Sequence, residues 1–266
     1  MISAARPARA EAPPQVTRYS EANVPTEYGP FRVVVYREEV ATQNRLSSGL
    51  SPSNLERPYV EHMALVRGDV SGDDVLVRVH SECWTGEVLH SLKCECREQL
   101  DFALRSVSDA GRGAVLYLRQ EGRGIGLGDK VRAYALQERG VDTVDANRML
   151  GLPDDTRRYH VAAFMCEELG IRSVRLMTNN PDKVRRLRGD GVPVRERVPV
   201  LIAPNEHSAG YLLAKSRRMD HALTLVGAED NSAVMRDALE SRTSEPTTDL
   251  HSAPDDTLVR PVRTDG

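Results

Sequence analysis

Hydrophobic and polar positions follow two different periods along the chain. Up to about residue 80 the apolar residues come in short, β-branched runs. Phe31 to Tyr36, His62 to Val66 and Val75 to Val79 each read as a strand, with Gly68-Asp69 and Gly72-Asp73 marking a turn between the last two. From Cys96 the period changes. Leu100, Ala103, Leu104 and Val107 share one face of a helix that Gly111 and Gly113 stop. Ala114 to Leu118 is a short apolar run, expected to be a strand buried on both sides. Val131, Tyr134 and Ala135 predict a helix over Asp129 to Glu138. Val161, Phe164, Met165 and Leu169 predict another over Arg158 to Leu169, closed by Gly170. Then come a strand at Val174 to Met177, a short helix at Asp182 to Arg188, an extended stretch at Val192 to Val200 and a last helix at Ser208 to Arg218.

Helices alternating with strands predict an α/β fold: a layered α/β/α domain with a mixed β-sheet and a β-rich N-terminal entry. Residues 44–58 read as a loop. The periodicity is missing at both ends. Residues 1–22 and 227–266 are expected to be disordered tails around one catalytic-sized domain at 23–226.

Composition narrows the classes of function. The 266 residues are 40% hydrophobic and 28% charged, which fits a globular chain with one core. A net charge of −3 argues against a nucleic-acid or anionic-membrane partner. No apolar run approaches the ~20 residues that span a bilayer, and the N-terminus lacks an apolar signal core. The expected location is cytoplasmic. In a reducing compartment a tight cysteine cluster points to metal rather than to disulfides.

Three of the four cysteines form such a cluster: Cys83, ten residues, then Cys94-x-Cys96. Three thiolates suit zinc, and with no fourth cysteine nearby a position stays open for water. Cys166, beside Phe164 and Met165 on an amphipathic helix, reads as core. A second stretch, Arg119 to Gly128, carries Gly122, Gly124, Gly126 and Gly128 directly after a strand. It matches neither a dinucleotide fingerprint nor a P-loop, and reads either as a phosphate cradle or as a turn needing positive φ. Arg119, Arg123 and Lys130 favour an anion there, and Glu121 offers an acceptor for a base edge. Asp154 and Asp155 read as the N-terminus of the following helix. Thr178-Asn179-Asn180-Pro181 with Lys183 reads equally as a phosphate site or as a capped turn. The basic run from Lys183 to Arg188 reads as a solvated helix face.

Taken in register, these stretches resemble GTP cyclohydrolase II. The matching pieces include Arg78-Val79-His80-Ser81-Glu82-Cys83, Cys94-x-Cys96, Arg119 to Leu127, Lys130 to Gln137, Asp142-Thr143-Val144 and Thr178-Asn179-Asn180-Pro181-x-Lys183, covering roughly Val24 to Leu223. The resemblance implies a homodimeric, zinc-dependent hydrolase, with one zinc per subunit. Such an enzyme opens the imidazole ring of GTP at C8 and releases formate and pyrophosphate, with Mg2+ at the triphosphate. By matched motif, Cys83, Cys94 and Cys96 become the zinc ligands. Arg78, Val79, His80, Ser81, Glu82, Gln99, Glu121, Gly122, Arg123, Thr143, Thr178 and Lys183 become GTP contacts. Tyr134 falls on the family's catalytic tyrosine, Asp155 on its proton acceptor and Arg157 on its nucleophile for the phosphate step. An arginine nucleophile is chemically awkward because its pKa lies above 12, so charge stabilisation of the leaving pyrophosphate is the simpler role for Arg157. Arg97, Gly128, Asp129 and Asp145 depart from the family's usual residues. Two other readings remain open: a paralogue that stops at the N-formylated pyrimidine, and a non-catalytic zinc- and GTP-binding module.

Overall fold

Period-two burial in the strands sets the layers of the molecule. The computed structural model describes residues 15–39, 59–141, 143–153, 155–200 and 202. Strands β1 (Val16–Thr26), β2 (Gly29–Glu39), β3 (Tyr59–Arg67), β4 (Val75–Ser81), β5 (Gly113–Leu118), β6 (Val174–Met177) and β7 (Val194–Val198) form one sheet. Its order is β1-β2-β3-β5-β4-β6-β7. The β1, β2, β3 and β5 neighbours pair antiparallel, while β5, β4, β6 and β7 run parallel. The expected mixed sheet with a β-rich entry is therefore what the chain forms.

Along β4 the alternation separates two jobs. Val75, Val77 and Val79 face a core built with Val34, Ala64, Leu116 and Leu176. Helix α5 (His160–Glu168) covers that face through Val161, Ala162, Met165 and Cys166. Helix α2 (Cys96–Asp109) covers the opposite face through Ala103 and Val107, packed with Phe31, Val115 and Met177. Cys166, on α5, is buried as expected, and burial pushes its thiol up to about 12. Gly170, at φ 73°, turns the chain out of α5. The remaining helices are α1 (Trp84–Glu87), α3 (Leu127–Gln137), α4 (Thr143–Met149) and α6 (Pro181–Gly189).

Three expectations are corrected. Residues 16–22, assigned to the N-terminal tail, are the first part of β1, paired with β2 from Val16↔Glu38 onward. The strand is exposed on both faces almost throughout, so no apolar alternation betrays it. The backbone ladder, ion pairs such as Arg32–Glu21 at 2.9 Å, the Arg37 guanidinium over the Tyr19 ring and the packing of Val16 against the core hold it. Second, α3 does not bury the face of Val131 and Ala135; both are exposed and Ala133 is buried instead. Third, α5 begins at His160 with Tyr159 as its N-cap, so Asp155 lies outside the helix terminus it was expected to cap. The expected loop at 44–58, the helix at 208–218, the domain end at 226 and the tail at 227–266 lie outside the described residues.

Candidate active site

The carboxyl ends of the parallel strands converge on one cleft. The chain passes from β4 to β5 through α2 on one face, then returns past β4 to β6 through α5 on the other. Such a reversal opens a crevice beyond the strand ends, the usual ligand position in α/β sheets. Here the cleft is lined from β4 by Arg78, His80, Ser81, Glu82 and Cys83, and from the start of α2 by Cys94, Cys96 and Gln99. The glycine-rich turn gives Glu121, Gly122 and Arg123, and α3 gives Lys130 and Tyr134. Glu95, Arg157, Thr178, Asn179, Asn180 and Lys183 complete the lining.

The three sulfurs form the floor of one corner. The Sγ atoms of Cys83, Cys94 and Cys96 lie within 4.8 Å of one another, with Cys83 and Cys94 at 3.6 Å. Cys83 is at the N-terminal boundary of α1, and Cys96 opens α2. Hydrogen bonds from Cys94 and Cys96 hold the Cys83 thiol far below its ordinary range, and Lys130, 3.1 Å from its sulfur, adds to this. The same bonds push Cys94 and Cys96 up. The convergence of three sulfur donors within 4.8 Å of one another fits a zinc ion bound by three thiolates.

Packing around the sulfurs is tight at Gly86. A Cβ there would stand 2.9 Å from Cys94 Sγ and 3.3 Å from Cys83 Sγ. Gly86→Ala is therefore expected to spread the ligands without removing one. Affinity for zinc, measured by competition with a chromophoric chelator, should fall about 10- to 100-fold, the usual cost of disturbing the surroundings of metal ligands. An alanine variant that binds zinc as the parent does would show that this contact yields.

Tyr134 faces the same corner. Burial pushes its hydroxyl up to about 12, against the opposing charge of Lys130, and it hydrogen-bonds Thr85. Thr85 Oγ1 is 3.8 Å from Cys83 Sγ. Lys93 and Lys130 approach the ring face at 4.9 and 5.8 Å.

The glycine-rich turn is folded around Glu121. Its Oε1 accepts from Gly122 N at 2.7 Å and Lys130 Nζ at 2.8 Å, and its Oε2 from Trp84 N at 2.6 Å. Both oxygens are thus engaged by protein. Gly122, Arg123 and Gly124 all take positive φ, so the need for left-handed backbone is real. A Cβ on Gly124 would meet Thr156 Oγ1 at 2.3 Å. Thr156 N and Oγ1 both donate to Arg123 O, at 3.0 and 3.2 Å. This close approach holds the 155–157 segment beside the turn: Arg157 lines the cleft, whereas Asp155, expected at the site, is not among the lining residues and reaches it only through Arg157. Arg157 binds Asp155 bidentately through Nε and Nη2, and that pairing outweighs burial in holding the Asp155 carboxyl low.

On the far wall Arg78 is buried, with Nη1 donating to Met177 O at 2.9 Å and Nη2 to Gln99 Oε1 at 2.8 Å. Burial lowers it to about 10. Lys183 Nζ donates to Val79 O at 2.7 Å. Thr178 Oγ1 accepts from Asn180 N, and Asn180 Oδ1 caps α6 by accepting from Asp182 N at 2.9 Å. The capped-turn reading of this stretch is therefore correct, and the same residues also line the cleft. Val79 is the outlier among the expected contacts: its side chain is buried in the sheet's other face, and only its carbonyl reaches the site. Thr143 belongs to α4, and its side chain lies outside the described residues.

A family profile described as GTP cyclohydrolase II matches residues 17–199. The chain belongs to the GTP cyclohydrolase II family. It is 46% identical over 208 residues to a GTP cyclohydrolase-2 of Actinobacillus succinogenes, covering 78% of this chain and 88% of that one. To the GTP cyclohydrolase-2 of Haemophilus influenzae strain PittEE it is 47% identical over 204 residues, covering 76% and 87%. The riboflavin biosynthesis protein RibBA of Nocardia farcinica is 50% identical over 218 residues, which are 81% of this chain but 48% of that longer one.

Sequence reasoning missed several residues of this family site. Glu95 lines the cleft, and Thr85 and Glu87 touch it through Cys83 and His80, with no motif to flag them; Lys130, Asn179 and Asn180, read within candidate anion-binding stretches, are among the lining residues. Of the departures, Arg97 and Asp145 are exposed, and Asp129 pairs with Arg132 at 2.9 Å. None of the four departures is among the lining residues of the cleft.

Proposed function

We propose that this member of the GTP cyclohydrolase II family carries out the whole reaction: opening of the guanine imidazole ring at C8, with release of formate and pyrophosphate. The product is 2,5-diamino-6-(5-phospho-ribosylamino)pyrimidin-4(3H)-one, the entry to riboflavin biosynthesis. The observation that carries this reading is the convergence of Cys83, Cys94, Cys96 and Tyr134 in one cleft that Arg123, Arg157 and Lys183 also line.

Cys83, Cys94 and Cys96 would hold zinc, which when bound would supply a water acidified to near neutrality for attack on an electron-poor ring carbon. Tyr134, protonated at neutral pH as any tyrosine at or above the ordinary pKa is, holds a proton beside the cysteine corner for the nitrogen leaving C8. Arg123, Arg157 and Lys183 neutralise the triphosphate, which Mg2+ further charge-balances. Asp155 clamps Arg157 by two bonds and so favours its charged form. That geometry supports Arg157 as a stabiliser of the departing pyrophosphate rather than as a nucleophile. Arg78, His80, Ser81, Glu82, Gln99, Glu121, Gly122, Thr143 and Thr178 complete the nucleotide site in this assignment, Val79 contributing backbone alone.

A homodimer is the proposed assembly. Leu127, Val131 and Met149, from the adjoining helices α3 and α4, are exposed apolar side chains, as are Val88, Leu89 and Leu92 beyond α1. Such a concentration suits burial against a second copy. No described helix is long and apolar enough to cross a membrane, and the cytoplasm is the proposed compartment.

The test is product identification by mass spectrometry after incubation with GTP, Zn2+ and Mg2+, with formate and pyrophosphate assayed separately. Equal amounts of both are expected. Pyrophosphate without formate identifies the truncated reaction, and GTP binding without turnover at any metal loading identifies a binding module.

A further inference from the structure

Glu87 is not among the residues assigned to substrate or metal, yet three neighbours of the site converge on it. Its Oε1 accepts from Cys83 N at 2.9 Å and lies 2.8 Å from His80 Nε2. Its Oε2 accepts from the Tyr117 hydroxyl. Tyr117 in turn stacks on the His80 ring, with centroids 5.6 Å apart and planes at 19°. His80 is thus fixed both in plane and in rotation. It is 2% exposed, and its Nδ1 is one of two buried side-chain polar atoms with no partner among the described residues. The other, Arg78 Nε, lines the same cleft.

An unpaired polar atom buried at this depth is costly unless a ligand satisfies it. A carboxylate accepts and cannot donate, so the His80 nitrogen facing Glu87 must carry the hydrogen. In a neutral ring the other nitrogen then holds a lone pair. Burial lowers the His80 pKa and favours that neutral ring.

We infer that Glu87 is a positioning residue that sets His80 in the Nε2–H tautomer, so that its Nδ1 lone pair accepts a hydrogen bond from a donor on the bound nucleotide. This rests on the nucleotide site proposed above and adds its polarity at one point: the wall at His80 demands a donor from the ligand. The bland role for Glu87 is to cap α1, since it accepts from Cys83 N while Cys83 O accepts from Glu87 N at 2.9 Å. A cap alone does not require any particular tautomer of His80, which separates the two roles.

The test reads the tautomer directly. The zinc-loaded full chain is labelled with 15N-histidine, and long-range 1H–15N correlation spectra are recorded without nucleotide, with His80 assigned from the signals lost in His80→Gln. The parent is expected to show a protonated Nε2 and a bare Nδ1. Glu87→Leu is expected to lose that pattern, with KM for GTP raised about tenfold, as for one lost hydrogen bond to a buried group. Glu87→Gln, whose carbonyl can still face Cys83 N and His80, keeps the pattern and lies between the two in KM. A parent spectrum with the proton on Nδ1, or a leucine variant with the parent's pattern, overturns the inference. If the leucine variant does not fold, the parent and glutamine spectra still decide it. The spectra are independent of turnover, so an inactive chain with the expected pattern counts against the proposed reaction and not against Glu87.

Discussion

Cys83→Ser leaves a folded chain that holds little zinc and releases formate from GTP at least about 10³-fold more slowly, the scale expected when a metal-activated water is lost. The substitution replaces a soft anionic donor by a hydroxyl that stays protonated at neutral pH. It also removes the sulfur that accepts from Lys130 Nζ and lies 3.6 Å from Cys94 Sγ. The fold should survive because the cores lie elsewhere: the apolar clusters on the two faces of the sheet are centred on strands and on helices α2 and α5, behind the rim that carries the cysteines. Far-UV circular dichroism, zinc per chain and formate release, measured on the same preparation, check this. A serine variant that is unfolded would mean that the site is structural. One that keeps zinc and full turnover would remove Cys83 from the ligand set. Stripping zinc from the parent with a chelator should reproduce the loss, and returning Zn2+ should reverse it.

Tyr134→Phe separates the two products. Phenylalanine keeps the ring, its burial and its contacts with Lys93 and Lys130, and removes only the hydroxyl. Formate release should fall about 10²- to 10⁴-fold, the range for loss of a positioned proton donor. Pyrophosphate release should continue, because Arg157 and its Asp155 clamp are untouched. The product that accumulates should be the N-formylated pyrimidine. Parallel loss of both products would place Tyr134 in nucleotide binding instead, and unchanged formate release would remove it from the chemistry.

Much of this architecture was legible in the chain because burial writes a period into it. The valines of β4 alternate, α2 repeats at helical spacing, and β5 is apolar throughout, so these elements and their order could be read directly. Strand β1 could not, because neither of its faces is buried and its stability comes from backbone pairing that any sequence can supply. Helix α3 forms where the spacing placed it, but its inward face was hidden for a related reason: Val131 and Ala135 are spaced as a buried face would be, yet both are exposed and Ala133 is the buried residue.

The site divides in the same way. The cysteines were legible because metal chemistry demands particular residue types at close spacing. The arrival of Arg157 was not, because it depends on Gly124 meeting Thr156 across more than thirty residues of intervening chain, a contact with no local signature. Glu87 was least visible of all. A single carboxylate in a four-residue helix carries no pattern, and its meaning lies in the three groups that happen to point at it.

The outermost strand has a consequence for how the protein behaves in a crowded solution. Strand β1 ends the sheet, with its outer row of backbone groups unpaired by any described strand, and such an edge is a template for joining sheets from separate molecules. Arg18 and Glu21 stud this strand and are tied by ion pairs to Arg32 and Glu168 on neighbouring elements. An incoming strand would have to settle its own side chains beside those fixed charges of both signs. The stretch of chain that looked least organised by its sequence is thereby the one that keeps the sheet from growing.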